Sequence, residues 1–157
     1  LHKTLAAVNE IEHFRYRIED GEVFVYDKIN VSATIMREDT TFGFSFMEFS
    51  PDFEEFNTKT IAEIERIQNT EGLLTRDFSG LYNLIHFSSI PWVGFTSLSH
   101  ARSFAFKDSC PKFSFGKMTE TDGKKSMPMS IHVNHALADG YHVSLFIDEY
   151  QRRLNCY

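Results

Sequence analysis

At 157 residues the chain is long enough to bury one substantial core, and its 42% hydrophobic and 24% charged content is that of a globular domain. A formal charge of −6 argues against nucleic acid as a partner, and no run of about eighteen apolar residues is present to span a membrane. Two cysteines, Cys110 and Cys156, give neither a disulfide framework nor metal-ligand spacing, so reduced thiols in the cytoplasm are the expectation.

Leu1, Leu5, Ala6, Val8 and Ile11 recur near helical period with no N-cap residue ahead of them. The chain therefore opens inside a helix, and an N-terminal segment is expected to be missing. Phe14 to Ile18 and Val23 to Tyr26 flank Asp20-Gly21, a strong hairpin signal. Val31 to Met36 and Thr41 to Phe46 read as further strands, with Phe42, Phe44 and Phe46 on one face. Ser50-Pro51-Asp52 opens a helix, with Pro51 at its start. Phe53, Phe56, Ile61, Ile64 and Ile67 form its apolar stripe, and Glu54, Glu55, Glu63 and Glu65 point outward.

Strand patterns return at Leu84 to Phe87, Gly94 to Leu98, Lys112 to Phe115 and Met127 to Val133, with a turn at Asp122-Gly123 between the last two. Tyr141 to Leu154 is an amphipathic helix with Val143, Phe146, Ile147, Tyr150 and Leu154 inward. Strands and helices intermix without strict βα alternation. That predicts one α+β domain over 1–157, a mixed or largely antiparallel sheet with helices packed on one face.

The segment with most chemical content is Ile131-His132-Val133-Asn134-His135-Ala136-Leu137-Ala138-Asp139-Gly140-Tyr141-His142, which runs from an apolar strand through a short loop into a helix. A histidine just beyond a strand is held by the sheet yet free to face a cleft. Asp139 sits near the next helix's N-terminus, where a carboxylate is favoured. Imidazole titrates at about 6.5, which suits general-base work near neutrality. It can take the proton of an acceptor hydroxyl as that oxygen attacks a thioester, provided a donor meets the oxyanion. Alone, this pair reads equally well as a structural histidine and a helix-capping aspartate. His132 and His142 read as ordinary strand and helix residues, and neither His132 with His135 nor any nearby cysteine makes a zinc site.

His135-Ala136-Leu137-Ala138-Asp139-Gly140-Tyr141-His142-Val143 resembles the HxxxDG signature of the chloramphenicol acetyltransferase family, acyl-CoA-dependent acetyltransferases. Ser88 to Ser97, with Pro91-Trp92, resembles that family's serine block, and Cys110 to Lys117 resembles its later strand. Phe14-Arg15, Asp20-Gly21 and Thr40-Thr41-Phe42 agree with earlier blocks, so the resemblance covers essentially the whole chain.

The resemblance implies a two-layer sandwich and a homotrimer with active sites between subunits. It makes His135 the general base in direct transfer from acetyl-CoA, a co-substrate rather than a permanently bound cofactor. Ser88 and Ser114 become the hydroxyls supporting the oxyanion, with Ser114 in place of the usual threonine. Asp139 and Gly140 are structural, Asp139 expecting an arginine from the missing segment. Lys117 and Met118 lie where the family contacts the nucleotide end of CoA. Phe42, Phe44, His86 and His100 fall in the acceptor pocket.

Several departures bear on the acceptor. Asn134 replaces the first of the paired histidines, His86 replaces an asparagine, Phe44 a small residue and His100 a leucine. An added ring crowds a fitted pocket. The acceptor is thus expected to be chloramphenicol, a related hydroxyl compound or another small alcohol. A catalytically silent member of the family is the non-enzymatic alternative.

Overall fold

The computed structural model describes residues 1–100 and 108–156. Helix α1 (His2–Glu10) leads into a hairpin of β1 (Tyr16–Glu19) and β2 (Glu22–Val25). Asp20 and Gly21 take φ of 50° and 90° in its turn, the paired left-handed geometry that matches strand twist and that Asp-Gly favours. Next come β3 (Asn30–Met36), β4 (Phe42–Phe44), α2 (Phe53–Gln68), β5 (Leu84–Ser89) and β6 (Lys112–Phe115). A second hairpin of β7 (Thr119–Thr121) and β8 (Lys124–Ser126) turns at Asp122-Gly123, and β9 (Met129–His132) and α3 (Gly140–Asn155) complete the order.

Five strands form the central sheet in the order β4-β3-β5-β6-β9. The two inner pairings are parallel and the two outer ones antiparallel, so the sheet is mixed, as expected for an α+β fold. Helices α1 and α3 lie against each other and share one core with the sheet. Phe14 is 5.1 Å from Phe146 of α3, and Phe146 is 5.0 Å from Phe113 of β6, all three fully or almost fully buried. Leu5 and Val8 of α1, Val31 of β3 and Ile85 of β5 fill the space around them. Arg17 ties the first hairpin to the sheet: its buried guanidinium donates to the carbonyls of Phe14, Tyr82 and Leu84.

Several expectations are corrected. Gly94 to Leu98 forms no strand. Phe95 instead packs so close to Gly116 that a Cβ there would come within 2.8 Å of its ring. Strand β4 ends at Phe44, although Ser45 still bonds Ala33 through backbone and hydroxyl and Met47 pairs with Val31 in the same register. Asp52, not Pro51, adjoins the first turn of α2, its side chain accepting from the Glu55 N–H, so Pro51 falls outside the helix.

The helix faces also differ from the sequence reading in part. On α2, Phe56 and Ile67 are buried but Phe53 and Ile61 are exposed. Glu63 points inward rather than outward, where it accepts from the Phe46 N–H and pairs with Arg66 and Arg76. On α3, Phe146 and Tyr150 are buried while Ile147 and Leu154 remain exposed.

Candidate active site

Strand alternation sorts the sheet into two chemically different faces. Ile85, Phe113, Phe115 and Ile131 point into the core beneath the helices. The residues between them, His86 and Ser88 on β5, Lys112 and Ser114 on β6, Ser130 and His132 on β9, point to the other face. The register aligns them in two rows. Ser32, His86, Lys112 and His132 stand opposite one another in sequence across the sheet, and Ser88, Ser114 and Ser130 form the next row. Phe42 and Phe44 of β4 wall the same face, their rings 5.8 Å apart and edge to face.

Ser32, His86, Lys112 and Ser88 of these rows floor a cleft of about 340 Å³ that His100, Phe42 and Phe44 also line. Every residue expected in the acceptor pocket is thus on one wall or the floor of a single hollow. A second hollow of about 480 Å³ adjoins it across Ser32, Phe44 and His86 and extends toward Arg17 and Asp108. Ser88 Oγ lies 2.6 Å from Ser114 Oγ, and Ser114 Oγ lies 3.2 Å from His100 Nε2. Ser114 is fully buried, so neighbouring side chains rather than bulk water must satisfy its hydroxyl.

Burial lowers the pKa of His86, and the nearby charges of Lys112 and Arg17 push the same way against Asp108. Burial also lowers that of His100, with His132 and Lys112 adding to it. Both rings are therefore neutral at pH 7. Lys112 is itself paired with Asp108.

His135 lies elsewhere. It sits exposed on the turn between β9, an edge strand, and α3, and it does not line the cleft. The turn is firmly built. Asn134 accepts from the Ala136 N–H through its side chain and from Leu137 and Ala138 through its carbonyl, while Leu137 and Ala138 are buried beneath. Asp139 caps α3 by accepting from the Tyr141 and His142 N–H groups, which hold its carboxyl below the usual carboxylate range. His142 Nδ1 is 3.2 Å from the Asp139 N–H and 2.7 Å from Asp139 Oδ1. A bare Nδ1 accepts from the first and an Nδ1 that carries hydrogen donates to the second, so the cap serves either tautomer. Gly140 begins the helix. Lys117 and Met118 are exposed beyond the end of β6.

Sequence reasoning missed Ser32, Thr34 and Lys112. Their signal was the period of two itself: a polar residue at every second position of Asn30–Thr34, Ile85–Ser88 and Lys112–Phe115.

Comparison with known proteins gives this arrangement a family. The family model described as chloramphenicol acetyltransferase matches residues 1–151. A chloramphenicol acetyltransferase from Campylobacter coli is 32% identical over 157 residues, covering 99% of this chain and 75% of the relative. One from Clostridium perfringens is 31% identical, with 94% and 72% covered. A solved chloramphenicol acetyltransferase superposes with a TM-score of 0.83 at 28% identity, over 98% of this chain and 75% of the other. A dihydrolipoamide acetyltransferase from Azotobacter vinelandii shares the fold, with a TM-score of 0.65 at 14% identity over 98% of this chain and 64% of that one. The chain belongs to the chloramphenicol acetyltransferase family and is, by that membership, an acetyltransferase. It spans about three quarters of the length of the first of these relatives.

Proposed function

We propose that the chain is a subunit of an acetyl-CoA-dependent O-acetyltransferase that acts on a hydroxyl of chloramphenicol or a related compound. His135 takes the proton from the acceptor hydroxyl as its oxygen bonds to the thioester carbonyl carbon. Ser88 donates to the oxyanion that results, with Ser114 behind it. Collapse of the tetrahedral intermediate breaks the carbon–sulfur bond, and the departing CoA sulfur recovers the proton from the imidazolium. Lys117 and Met118 contact the nucleotide end of CoA, and Phe42, Phe44, His86 and His100 contact the acceptor.

The observation that carries this reading is the pair of serine hydroxyls 2.6 Å apart at the floor of a cleft, on a face otherwise walled by aromatic rings. His135 completes such a site from another copy of the chain, since within one chain it is absent from the cleft lining and stands beyond an edge strand. A homotrimer with its sites between subunits satisfies both facts. The two free thiols agree with a cytoplasmic enzyme, where acetylating the antibiotic would confer resistance.

A second reading keeps the mechanism and changes the acceptor to a more polar small alcohol. Phe44 narrows the cleft against Phe42, while Ser32, His86, His100 and Lys112 make its floor polar.

Thiol release from acetyl-CoA with and without chloramphenicol, and with a panel of small alcohols, separates the two. Turnover of chloramphenicol is expected, and a His135→Ala change should reduce kcat about 10³-fold with the fold intact. An intact chain that binds no CoA in calorimetry and acetylates none of the acceptors would leave only a catalytically silent member of the family.

A further inference from the structure

The serine pair has a direction problem that a third group must solve. Each hydroxyl owns one hydrogen, and the contact of 2.6 Å between Ser88 Oγ and Ser114 Oγ allows either to be the donor. If Ser88 donates to Ser114, the hydrogen needed at the oxyanion is consumed. If Ser114 donates to Ser88, the Ser88 hydrogen is left free to point into the cleft.

His100 Nε2, 3.2 Å from Ser114 Oγ, selects between these states. A bare Nε2 accepts the Ser114 hydrogen, and the Ser114 oxygen then takes that of Ser88. An Nε2 that carries hydrogen donates to Ser114, which turns the Ser114 hydrogen toward Ser88. We propose that His100 is a positioning residue that donates from Nε2 to Ser114, so that Ser114 donates to Ser88 and Ser88 alone faces the developing oxyanion. The assignment rests on the acetyl-transfer reading above.

Three observations support it beyond distance. Ser114 is fully buried, so solvent does not compete for its oxygen. The pKa of His100 is lowered by burial and by His132 and Lys112, so the ring is neutral at pH 7 and carries one hydrogen whose position is a matter of tautomer. Its ring is also fixed edge to face against that of His132, with centroids 5.0 Å apart. Only the Nε2–H tautomer makes every donor in the chain point toward the negative charge. In a low-dielectric site such aligned bonds polarise one another.

The test is a double-mutant cycle with a tautomer measurement beside it. His100→Leu is expected to lower kcat about tenfold for every accepted alcohol, a loss separate from any change in KM that its contact with the acceptor brings. His100→Gln keeps an N–H donor near the Nε2 position and should recover most of the loss. In a Ser114→Ala background His100→Leu should cost nothing further, because the two act through one chain. Nitrogen-15 NMR of the intact protein without substrates should find His100 protonated at Nε2 and bare at Nδ1. Multiplicative losses in the cycle, a Gln variant no better than Leu, a change confined to KM, or the opposite tautomer each overturn the assignment. A wild-type protein without turnover removes the underlying reading instead, and the tautomer, read without any substrate, tells the two failures apart.

Discussion

Ser88 is half-buried, and its hydroxyl is the one oxygen–hydrogen bond of the serine pair within reach of the open cleft. Removing it should therefore affect the transition state more than the fold. For Ser88→Ala we expect kcat to fall about 10²–10³-fold, the cost of losing one preorganised oxyanion donor, with little change in melting temperature. Steady-state rates at saturating acetyl-CoA, beside a thermal melt, check both halves. A rise in KM alone would move Ser88 out of the oxyanion role. Ser88 and Ser114 were legible only because their flanking blocks resemble a family; a serine at a strand end carries no signal by itself. Lys112 was less legible. It enters the site through strand register, and register is a pairing between distant segments that no single window of sequence displays.

At the scale of elements, local chemistry was the reliable guide. Asp-Gly at 20–21 and 122–123 made its hairpins, and Asp139 capped α3, because those residues act within a few positions of themselves. Glu63 failed the same logic. A glutamate on an amphipathic helix reads as solvated, yet its carboxylate meets the Phe46 N–H from beyond β4, Arg76 from the loop after α2, and Arg66 one turn along. Burial works to raise the Glu63 pKa, but these donors outweigh it and hold the carboxyl below its ordinary 4.5. A carboxylate whose folded pKa is depressed adds stability above the unfolded value and loses it as pH falls through the folded one. The protein should accordingly melt at progressively lower temperature as pH drops below about 4.5. Glu63→Gln should melt lower at pH 7 and show a shallower decline over that acid range. Calorimetric melts at stepped pH test this, and parallel slopes for the two proteins would count against Glu63 as a contributor.

For the whole molecule the informative surfaces are those a single chain leaves uncovered. Val23, Phe24 and Val25 on the first hairpin, Trp92 beyond β5, and Tyr141 and Ile147 on α3 are all substantially exposed. Surfaces of this kind mark contacts with another body. Strand β9 is also a sheet edge, and an unprotected edge invites a neighbour. In a closed ring the same two unlike surfaces meet at every interface. If His135 and the Ser88–Ser114 pair belong to those two surfaces, each site draws on two chains, and two differently damaged chains can repair one another. Co-expressed His135→Ala and Ser88→Ala chains, each nearly inactive alone, should regain roughly one quarter of wild-type activity. That is the fraction of interfaces joining an intact His135 to an intact serine when equal amounts mix at random. The double variant carried on one chain and mixed with wild type should also give about one quarter, from interfaces between wild-type neighbours alone, whereas a site within one chain would give about one half. The single-variant mixture is the sharper of the two, because a site within one chain predicts no recovery in it. Activity no greater than the sum of its two parents would confine catalysis to one chain, and the exposed histidine would lose its role.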